Sequence, residues 1–213
     1  MKPDYWDDAC RALSQADPVM ARIIAAHGQA HLASRGDPFQ TLARSIVGQQ
    51  ISVKAAQAVW DRFSAAARTV TPDRVCRMRA STLAACGLSV RKGEYLKDLA
   101  ARFRSGEVDP CRWPGLDDES IIAELVAVRG IGRWTAEMFL IFNLLRPDVL
   151  PVDDLGVLRA ISLNYPRSAQ DAAEPTARQM RAEALGVGER WRPWRTVATW
   201  YLWRSLDPVP VEY

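Results

Sequence analysis

The sequence predicts an all-α protein, and three observations carry that prediction. Apolar residues recur at helical spacing through most of the chain, as at Ile121 and Leu125. No alternation of apolar and polar residues lasts long enough to indicate a sheet. Capping residues precede several of the periodic segments, and at Asp37-Pro38 a proline follows the cap in the first helical turn.

The periodic segments give a series of predicted helices. Their predicted bounds are 4–13, 18–28, 38–48, 52–66, 72–77, 81–86, 90–104, 118–128, 133–145, 154–163, 174–184 and 191–205. No long linker, internal repeat or low-complexity tract separates them. A chain of 213 residues with 48% apolar side chains can bury a sizeable core, as one domain or two small ones.

Composition and charge exclude several classes of protein. The apolar runs are far shorter than a membrane span, and the opening MKPDYWDDAC is acidic rather than a basic signal region. We therefore expect no membrane partner. The net charge is only +3, so a surface for an anionic partner would have to be a local patch.

The cysteines indicate neither a metal site nor a disulfide framework. The chain has four, at Cys10, Cys76, Cys86 and Cys111, and none forms a C-x-x-C pair. Scattered cysteines of this kind are typical of reduced thiols in a cytoplasmic protein rather than of a zinc site or an iron–sulfur cluster.

The most informative segment contains a glycine turn between two predicted helices. Gly130-Ile131-Gly132 ends one helix, and another begins near Arg133. Glycines at 130 and 132 allow positive φ and close approach to the backbone. The N–H groups at the start of the second helix suit an anionic ligand such as a phosphate. The alternative is an ordinary turn with a glycine at the helix end.

Two aspartates follow Pro151, one helix beyond the glycine turn. Asp153 and Asp154 begin another helix, and an aspartate in that position is usually a helix cap. Asp153 is better placed as the cap, which leaves Asp154 in the first turn, pointing toward a pocket. A phosphate-binding turn and a carboxylate one helix apart suggest chemistry on nucleic acid.

Four motifs occur in order along the chain. They are SIVGQQIS (45–52), GIGRWTA (130–136), PVDD (151–154) and WRPWR (191–195). Together they resemble the helix–hairpin–helix DNA glycosylases of base excision repair, most closely the 3-methyladenine DNA glycosylase II branch. The resemblance spans roughly residues 45 to 205. It implies a compact form without the N-terminal α/β domain of the larger bacterial members.

The resemblance also implies an architecture and an activity. Two helical subdomains would flank an active-site cleft, one spanning 37–145 and containing the hairpin, the other formed by 1–36 and 146–213. The implied partner is double-stranded DNA with a damaged base, from which alkylated purines of the 3-methyladenine and 7-methylguanine type would be released. We expect a monomer that acts in the cytoplasm, in the compartment of the bacterial nucleoid.

The motif match puts the catalytic carboxylate at Asp154. Breaking an N-glycosidic bond develops positive charge on the sugar, which an ionised aspartate would stabilise while it orients the attacking water. Trp134 and Trp203 are implied as pocket walls, because an indole face attracts a cationic purine. Trp200 and Tyr201 are less direct candidates for the same wall. Packing between subdomains is the alternative for these late aromatic residues.

Three further residues are implied to contact the substrate. Met138 stands where a tyrosine commonly lines the family's base pocket, so this wall departs from the family pattern. Gln49 and Gln50 match the wedge loop that fills the space left by a flipped nucleotide and bonds the orphaned base. For each glutamine the alternative is a structural role at a helix end.

The residue after GIGR indicates the reaction type. Family members that also cleave the backbone carry a lysine there, which forms a Schiff base with the sugar. This chain has Trp134, so we predict a monofunctional hydrolase that leaves an abasic site. A bifunctional glycosylase/lyase for oxidised bases and a non-catalytic helix–hairpin–helix DNA-binding module are the alternatives.

The hairpin would bind the DNA backbone without regard to sequence. The residues predicted for this contact are Arg129, Gly130, Ile131, Gly132 and Arg133, with Lys54, Arg91 and Lys92 as further candidates. The resemblance also implies a structural monovalent cation, Na⁺ or K⁺, held by the backbone carbonyls of Val126, Val128 and Ile131. No cofactor is expected for catalysis itself.

Overall fold

A computed structural model of the chain describes residues 2–28, 30–34, 36–165 and 175–206. Within these ranges the chain contains α-helices, two short 3₁₀ turns and no strand, which confirms the predicted all-α class. The helices are α1 (Trp6–Ala16), α2 (Pro18–His27), α3 (Pro38–Gly48), α4 (Val53–Ala67), α5 (Pro72–Arg77), α6 (Ala80–Ala85), α7 (Val90–Ser105), α8 (Asp118–Val126), α9 (Arg133–Phe142), α10 (Leu155–Asn164), α11 (Ala177–Gly188) and α12 (Arg195–Leu206). None of these described helices is long and apolar enough to cross a membrane.

Side-chain caps begin several helices where the sequence predicts them. Asp37 accepts a hydrogen bond from the N–H of Gln40 at 2.8 Å, at the start of α3. Asp117 accepts one from the N–H of Ser120 at 2.7 Å, at the start of α8. These bonds satisfy N–H groups that have no partner within their own helix. Both aspartates stand directly before a periodic segment, which is why the sequence predicts these two helix starts.

Several helices depart from their predicted bounds, and two of them show why. The helix predicted to reach 145 ends at Phe142, since Leu145 has a positive φ of 54°. The helix predicted from 191 begins at Arg195, because a 3₁₀ turn over Glu189–Trp191 and then Pro193 precede it. In both cases the apolar periodicity continues into backbone that is not helical. The start predicted at 174 lies outside the described residues, and α11 begins three residues later.

The chain divides into two compact units. Of the described residues, the terminal unit contains those up to 34 and those from 140 to 206, and the central unit contains those from 36 to 139. Helices α1, α2, α10, α11 and α12 therefore belong to the terminal unit, and α3 to α8 to the central unit. Helix α9 continues across the boundary in the chain.

Aromatic rings form much of the core of the terminal unit. Trp6 on α1 packs edge-on against Trp200 on α12, with 5.3 Å between ring centroids and 88° between ring planes. Tyr201 lies 5.9 Å from the same indole, and Trp191 is fully buried. Because Trp200 and Tyr201 are both buried here, they belong to this core, and the prediction that they line a base pocket is wrong.

A second aromatic group holds the helices on both sides of the glycine turn in the central unit. The buried Trp113 packs edge-on against Phe139 on α9, with 5.3 Å between ring centroids. Its indole Nε1 donates a hydrogen bond to Glu124 Oε1 on α8 at 2.8 Å. Trp113 therefore contacts the helix before the turn and the helix after it, and fixes their relative position.

Candidate active site

Asp154 caps helix α10. It is the residue immediately before the helix, with φ −79° and ψ 116°. Its Oδ1 accepts a hydrogen bond from the N–H of Val157 at 2.8 Å, which is the bond that defines an N-cap. The prediction that Asp153 is the cap and Asp154 lies in the first turn is therefore wrong by one residue. The cap fixes the Asp154 carboxylate at the positive end of the helix dipole.

Asp153 has a different environment. Its side chain is exposed, and its Oδ1 accepts a hydrogen bond from Arg181 Nε on α11 at 2.6 Å. An exposed ion pair of this kind contributes little to stability. Asp153 is thus an adjacent aspartate that does not cap the helix. It can therefore serve as a matched control for Asp154.

Trp203 is in direct contact with the Asp154 carboxylate. Its indole Nε1 donates to Asp154 Oδ1 at 2.9 Å, so one carboxylate oxygen accepts from both the helix backbone and the indole. The Trp203 ring also stacks on Phe142, with 5.6 Å between centroids and 12° between planes. Trp203 is only half-buried, unlike the core tryptophans. The structure therefore brings two of the predicted site residues together and adds Phe142, which no sequence motif indicates.

The WRPWR motif anchors the segment that leads to Asp154. Arg195 donates from Nε to Asp148 Oδ1 at 2.7 Å and from its terminal nitrogen to Oδ2 at 2.9 Å. Arg192 adds a third bond to Asp148 Oδ2 at 3.0 Å. One residue further on, the N–H of Val149 donates to Thr196 Oγ1 at 2.9 Å. These bonds hold the segment between α9 and α10 at Asp148, six residues before the Asp154 cap. The WRPWR motif therefore has a structural role.

The two hairpin glycines differ in what requires them. Gly130 has a φ of 86°, and a Cβ there would lie 2.1 Å from Tyr95 Cδ2, so any side chain is excluded. Gly132 has no positive φ, and a Cβ there would meet nothing within 4 Å. Of the two glycines that allow positive φ, only Gly130 adopts it. Among the described residues, no neighbouring atom requires glycine at 132, which leaves that position open to an external ligand.

The α3–α4 loop (residues 49–52) is tied to the hairpin. Gln49 Nε2 donates to the Gly130 carbonyl at 2.8 Å. Lys92, near the start of α7, donates from Nζ to the carbonyls of Val47 at 2.8 Å and of Gln49 at 2.7 Å. Burial lowers the pKa of this lysine. Gln49 directly follows α3. Its contact with the hairpin fits the structural role at a helix end, which was the alternative to bonding the orphaned base. Lys92 points into the protein rather than outward.

Both hairpin arginines form ion pairs. Arg129 donates to Glu94 Oε2 at 3.0 Å. Arg133 donates to Glu119 Oε2 at 2.8 Å and to the buried Glu137 at 3.0 Å. The hydrogen bonds that Arg133 donates to Glu119 are the largest cause of its raised pKa. Each of these two arginines, both predicted to contact the DNA backbone, is therefore already accompanied by a carboxylate.

Trp134, Met138 and Gln50 also lie in the central unit. Trp134 and Met138 are one turn apart on α9, and Trp134 is 40% exposed while Met138 is half-buried. Gln50 is exposed in the α3–α4 loop with a left-handed φ of 59°. An indole this exposed at the start of the second hairpin helix is better suited to contact with a ligand than to core packing.

The hairpin carbonyls are chemically suited to the cation that the resemblance implies. The Val128 carbonyl accepts the N–H of Ile131 at 3.1 Å, and a carbonyl oxygen has a second lone pair for a cation. Neutral carbonyl oxygens are ligands that hard cations prefer. Among the described residues, no group of three or more His, Cys, Asp or Glu side chains is placed to hold a metal ion.

The fold and the site define a class of protein. Over the described residues the chain is helical and contains a glycine hairpin. Helix α9 follows the hairpin, and Asp154 then caps α10. These are the features of a helix–hairpin–helix base-excision protein. The model of the HhH-GPD superfamily of base excision DNA repair proteins matches residues 43–184. The chain belongs to this superfamily, in its 3-methyladenine glycosylase branch.

Individual relatives agree with that placement. The chain is 36% identical over 174 residues to DNA-3-methyladenine glycosylase 1 of Schizosaccharomyces pombe. The aligned residues cover 79% of this chain and 72% of the relative. The solved DNA-3-methyladenine glycosidase of Bacillus halodurans has a TM-score of 0.82 at 33% identity, over 92% of this chain and 87% of that one. A Schizosaccharomyces pombe 3-methyladenine DNA glycosylase in complex with abasic DNA has a TM-score of 0.78 at 31% identity, over 97% of this chain and 98% of that one.

Proposed function

We propose that this chain is a monofunctional DNA glycosylase that releases alkylated purines, of the 3-methyladenine and 7-methylguanine type, in base excision repair. The observation that carries the proposal is the Asp154 carboxylate, whose Oδ1 accepts from the N–H of Val157 and from the indole of Trp203. A carboxylate held by two donors of this kind is fixed in orientation before substrate arrives, which is what catalysis by charge stabilisation requires.

The proposed reaction requires only one carboxylate, that of Asp154. Cleavage of the N-glycosidic bond develops positive charge on the deoxyribose, and an ionised carboxylate stabilises that charge. The same carboxylate orients the attacking water and accepts its proton. An alkylated purine of this type is already cationic and leaves without prior protonation, so a single carboxylate is sufficient.

Trp203 in the terminal unit and Trp134 in the central unit are the two indoles that the family resemblance implies for contact with the flipped base, and each is accessible within its own unit. Trp203 has one ring face stacked on Phe142, and Trp134 is 40% exposed on α9. An indole face attracts a cationic purine by about 0.5–2 kcal/mol. Met138, one turn after Trp134, gives that wall an aliphatic thioether in place of the tyrosine common in the family. The choice among alkylated bases depends on this difference.

Base release occurs without strand cleavage. A lyase reaction through a Schiff base requires an amine beside the hairpin, and the residue in that position is Trp134. The expected product is a free base and an intact strand with an abasic site. Trapping with borohydride separates this reaction from that of a glycosylase/lyase, because only the lyase yields a covalent protein–DNA adduct.

The hairpin binds the backbone of double-stranded DNA beside the flipped nucleotide. The open space at Gly132 allows a phosphate to approach the N–H groups at the start of α9. Carbonyls of Val126, Val128 and Ile131 hold a Na⁺ or K⁺ ion that supports the turn, and no cofactor takes part in the chemistry. We expect the protein to work as a monomer in the cytoplasm.

The deciding experiment compares Asp154→Asn with Asp153→Asn on alkylated duplex DNA. Asparagine is also a good N-cap, so the first change keeps the helix start while it removes the charge. We expect single-turnover release of 3-methyladenine to fall by about 10²- to 10⁴-fold for Asp154→Asn, with duplex binding retained. Asp153→Asn serves as the matched control and should release base at the wild-type rate.

Two results would overturn the proposal. One is a wild-type protein that releases no base from a panel of alkylated and deaminated duplexes. The other is full activity in Asp154→Asn. The first result, combined with intact duplex binding, would favour a non-catalytic DNA-binding module. The second would show that base release does not depend on the Asp154 carboxylate.

A further inference from the structure

Gly156 occupies a position where its own backbone does not require glycine. It lies in the first turn of α10, two residues after Asp154, and its φ is not positive. Alanine is the better helix former at such a position, because glycine loses more backbone entropy on folding. The conformation of the helix therefore does not explain the glycine at this position.

The neighbouring atoms supply that reason. A Cβ on residue 156 would lie 3.0 Å from Asp154 Oδ1, 3.2 Å from Trp203 Cδ1 and 3.3 Å from Trp203 Nε1. Ordinary van der Waals contacts of a Cβ begin at 3.4 Å, so all three approaches are tighter than ordinary and the neighbouring atoms would have to shift by a few tenths of an ångström. Two of these three atoms, Asp154 Oδ1 and Trp203 Nε1, are the acceptor and the donor of the 2.9 Å hydrogen bond.

We infer that Gly156 is a positioning residue, whose missing side chain allows the Trp203 indole to reach the Asp154 carboxylate. The expected effect on catalysis rests on the proposed function, whereas the contact between Trp203 and Asp154 does not. With a methyl group at 156, either the indole edge or the carboxylate must move. The indole is held by its stacking on Phe142, and the carboxylate by its bond to the N–H of Val157.

The test is Gly156→Ala, with Gly186→Ala as the matched control. Gly186 is also a helical glycine without positive φ, but on α11 a Cβ there would meet nothing within 4 Å. Both changes favour the helix, so both proteins should fold. The first readout is the NMR resonance of the Trp203 indole N–H, identified by its disappearance in Trp203→Phe. The second is single-turnover base release, and the third is duplex affinity.

We expect Gly156→Ala to shift the Trp203 indole resonance toward the position of an indole without a carboxylate acceptor. Base release should slow by about ten- to a hundredfold, since a small displacement of a catalytic group has effects of this size. Duplex affinity should stay within about twofold, because the binding surface is unchanged. Gly186→Ala should leave all three measurements at their wild-type values.

A double-mutant cycle adds an independent test. Gly156→Ala and Trp203→Phe break the same hydrogen bond, so their effects on the rate should be clearly less than additive. An unmoved indole resonance in Gly156→Ala, or additive effects in the cycle, would overturn the inference. If the wild type releases no base while the resonance still moves, the proposed function fails and the positioning of Trp203 by Gly156 stands.

Discussion

The Gln49 side chain donates to the Gly130 carbonyl at 2.8 Å, across 81 residues of sequence. This bond joins the α3–α4 loop to the glycine turn, so the loop that was predicted to fill a vacated base stack is held by the turn that was predicted to bind phosphate. The two predicted DNA contacts are therefore mechanically linked, and changes to either should affect both.

Replacing Gln49 tests this link. Gln49→Ala removes the donor and leaves a half-buried carbonyl without that partner, so we expect the free energy of unfolding to fall by about 1 kcal/mol. Duplex affinity should fall as well, because the loop and the turn lose their shared geometry. Urea unfolding and fluorescence anisotropy would measure the two effects. Gln50→Ala is the control for stability, since Gln50 is exposed, and a stability loss of equal size there would contradict this account.

Lys92 provides a test that separates a structural lysine from a phosphate contact. Its Nζ is bonded to the carbonyls of Val47 and Gln49, so Lys92→Met should cost about 1–3 kcal/mol of stability. The slope of log affinity against log salt concentration should stay unchanged, whereas loss of a phosphate contact reduces it by about 1. Lys54→Met, at an exposed lysine, should leave stability unchanged. A reduced salt slope in Lys92→Met would show that this lysine contacts DNA.

The two hairpin glycines should respond differently to the same substitution. Gly130→Ala places a methyl group on the Tyr95 ring at a positive φ, so we expect a loss of more than about 2 kcal/mol in unfolding free energy. Gly132→Ala has room within the protein and should stay within about 0.5 kcal/mol of wild type.

Gly132→Ala, although it should fold normally, should affect DNA binding. Gly132→Ala should weaken duplex binding by about tenfold, because the methyl group would stand where a phosphate approaches the backbone. Anisotropy titrations with an undamaged duplex are sufficient for this measurement. Unchanged affinity in a folded Gly132→Ala protein would rule out a phosphate contact at this residue.

Asp17 makes part of the stability dependent on pH. Burial favours the neutral form of this carboxyl, but hydrogen bonds from Tyr165, Trp191 and the backbone N–H groups of Val19 and Met20 outweigh it and lower its pKa. A lowered pKa stabilises the fold above the unfolded-state pKa of about 4, and that contribution is lost as the pH falls through the folded-state value.

The measurement is the free energy of unfolding between pH 3 and pH 7 for wild type and Asp17→Asn. We expect the substitution to destabilise the protein at pH 7 and to flatten the loss of stability on the acid side. Parallel curves for wild type and Asp17→Asn would show that another group causes the acid sensitivity.

Local signals in the sequence predicted the elements that depend on local physics. The caps at Asp37 and Asp117 precede periodic segments, and the fold class follows from the periodicity itself. The cap at the candidate site was misassigned by one residue, because two adjacent aspartates offer equivalent caps and only the tertiary structure distinguishes them. Arg181 pairs with Asp153, and Trp203 pairs with Asp154.

Contacts between distant parts of the chain account for what the sequence did not predict. Phe142 has no motif around it, and its place under Trp203 depends on how α9 and α12 pack. Lys92 was predicted as a candidate contact to the DNA backbone, yet its ammonium group donates to carbonyls at the end of α3. Gly156 carries no sign of its function in the sequence, because two of the three atoms that crowd a side chain there belong to Trp203, 47 positions later.

The order of the two units along the chain has a consequence for synthesis on the ribosome. The central unit is one continuous stretch, residues 35–139, and contains all of its own partners as soon as it has emerged. Helices α1 and α2 emerge before the central unit and pack on each other, but both also pack against α12, so part of their apolar surface stays uncovered until α12 has been made. We therefore expect these two helices to reach their native packing later than the central unit, although they are made before it.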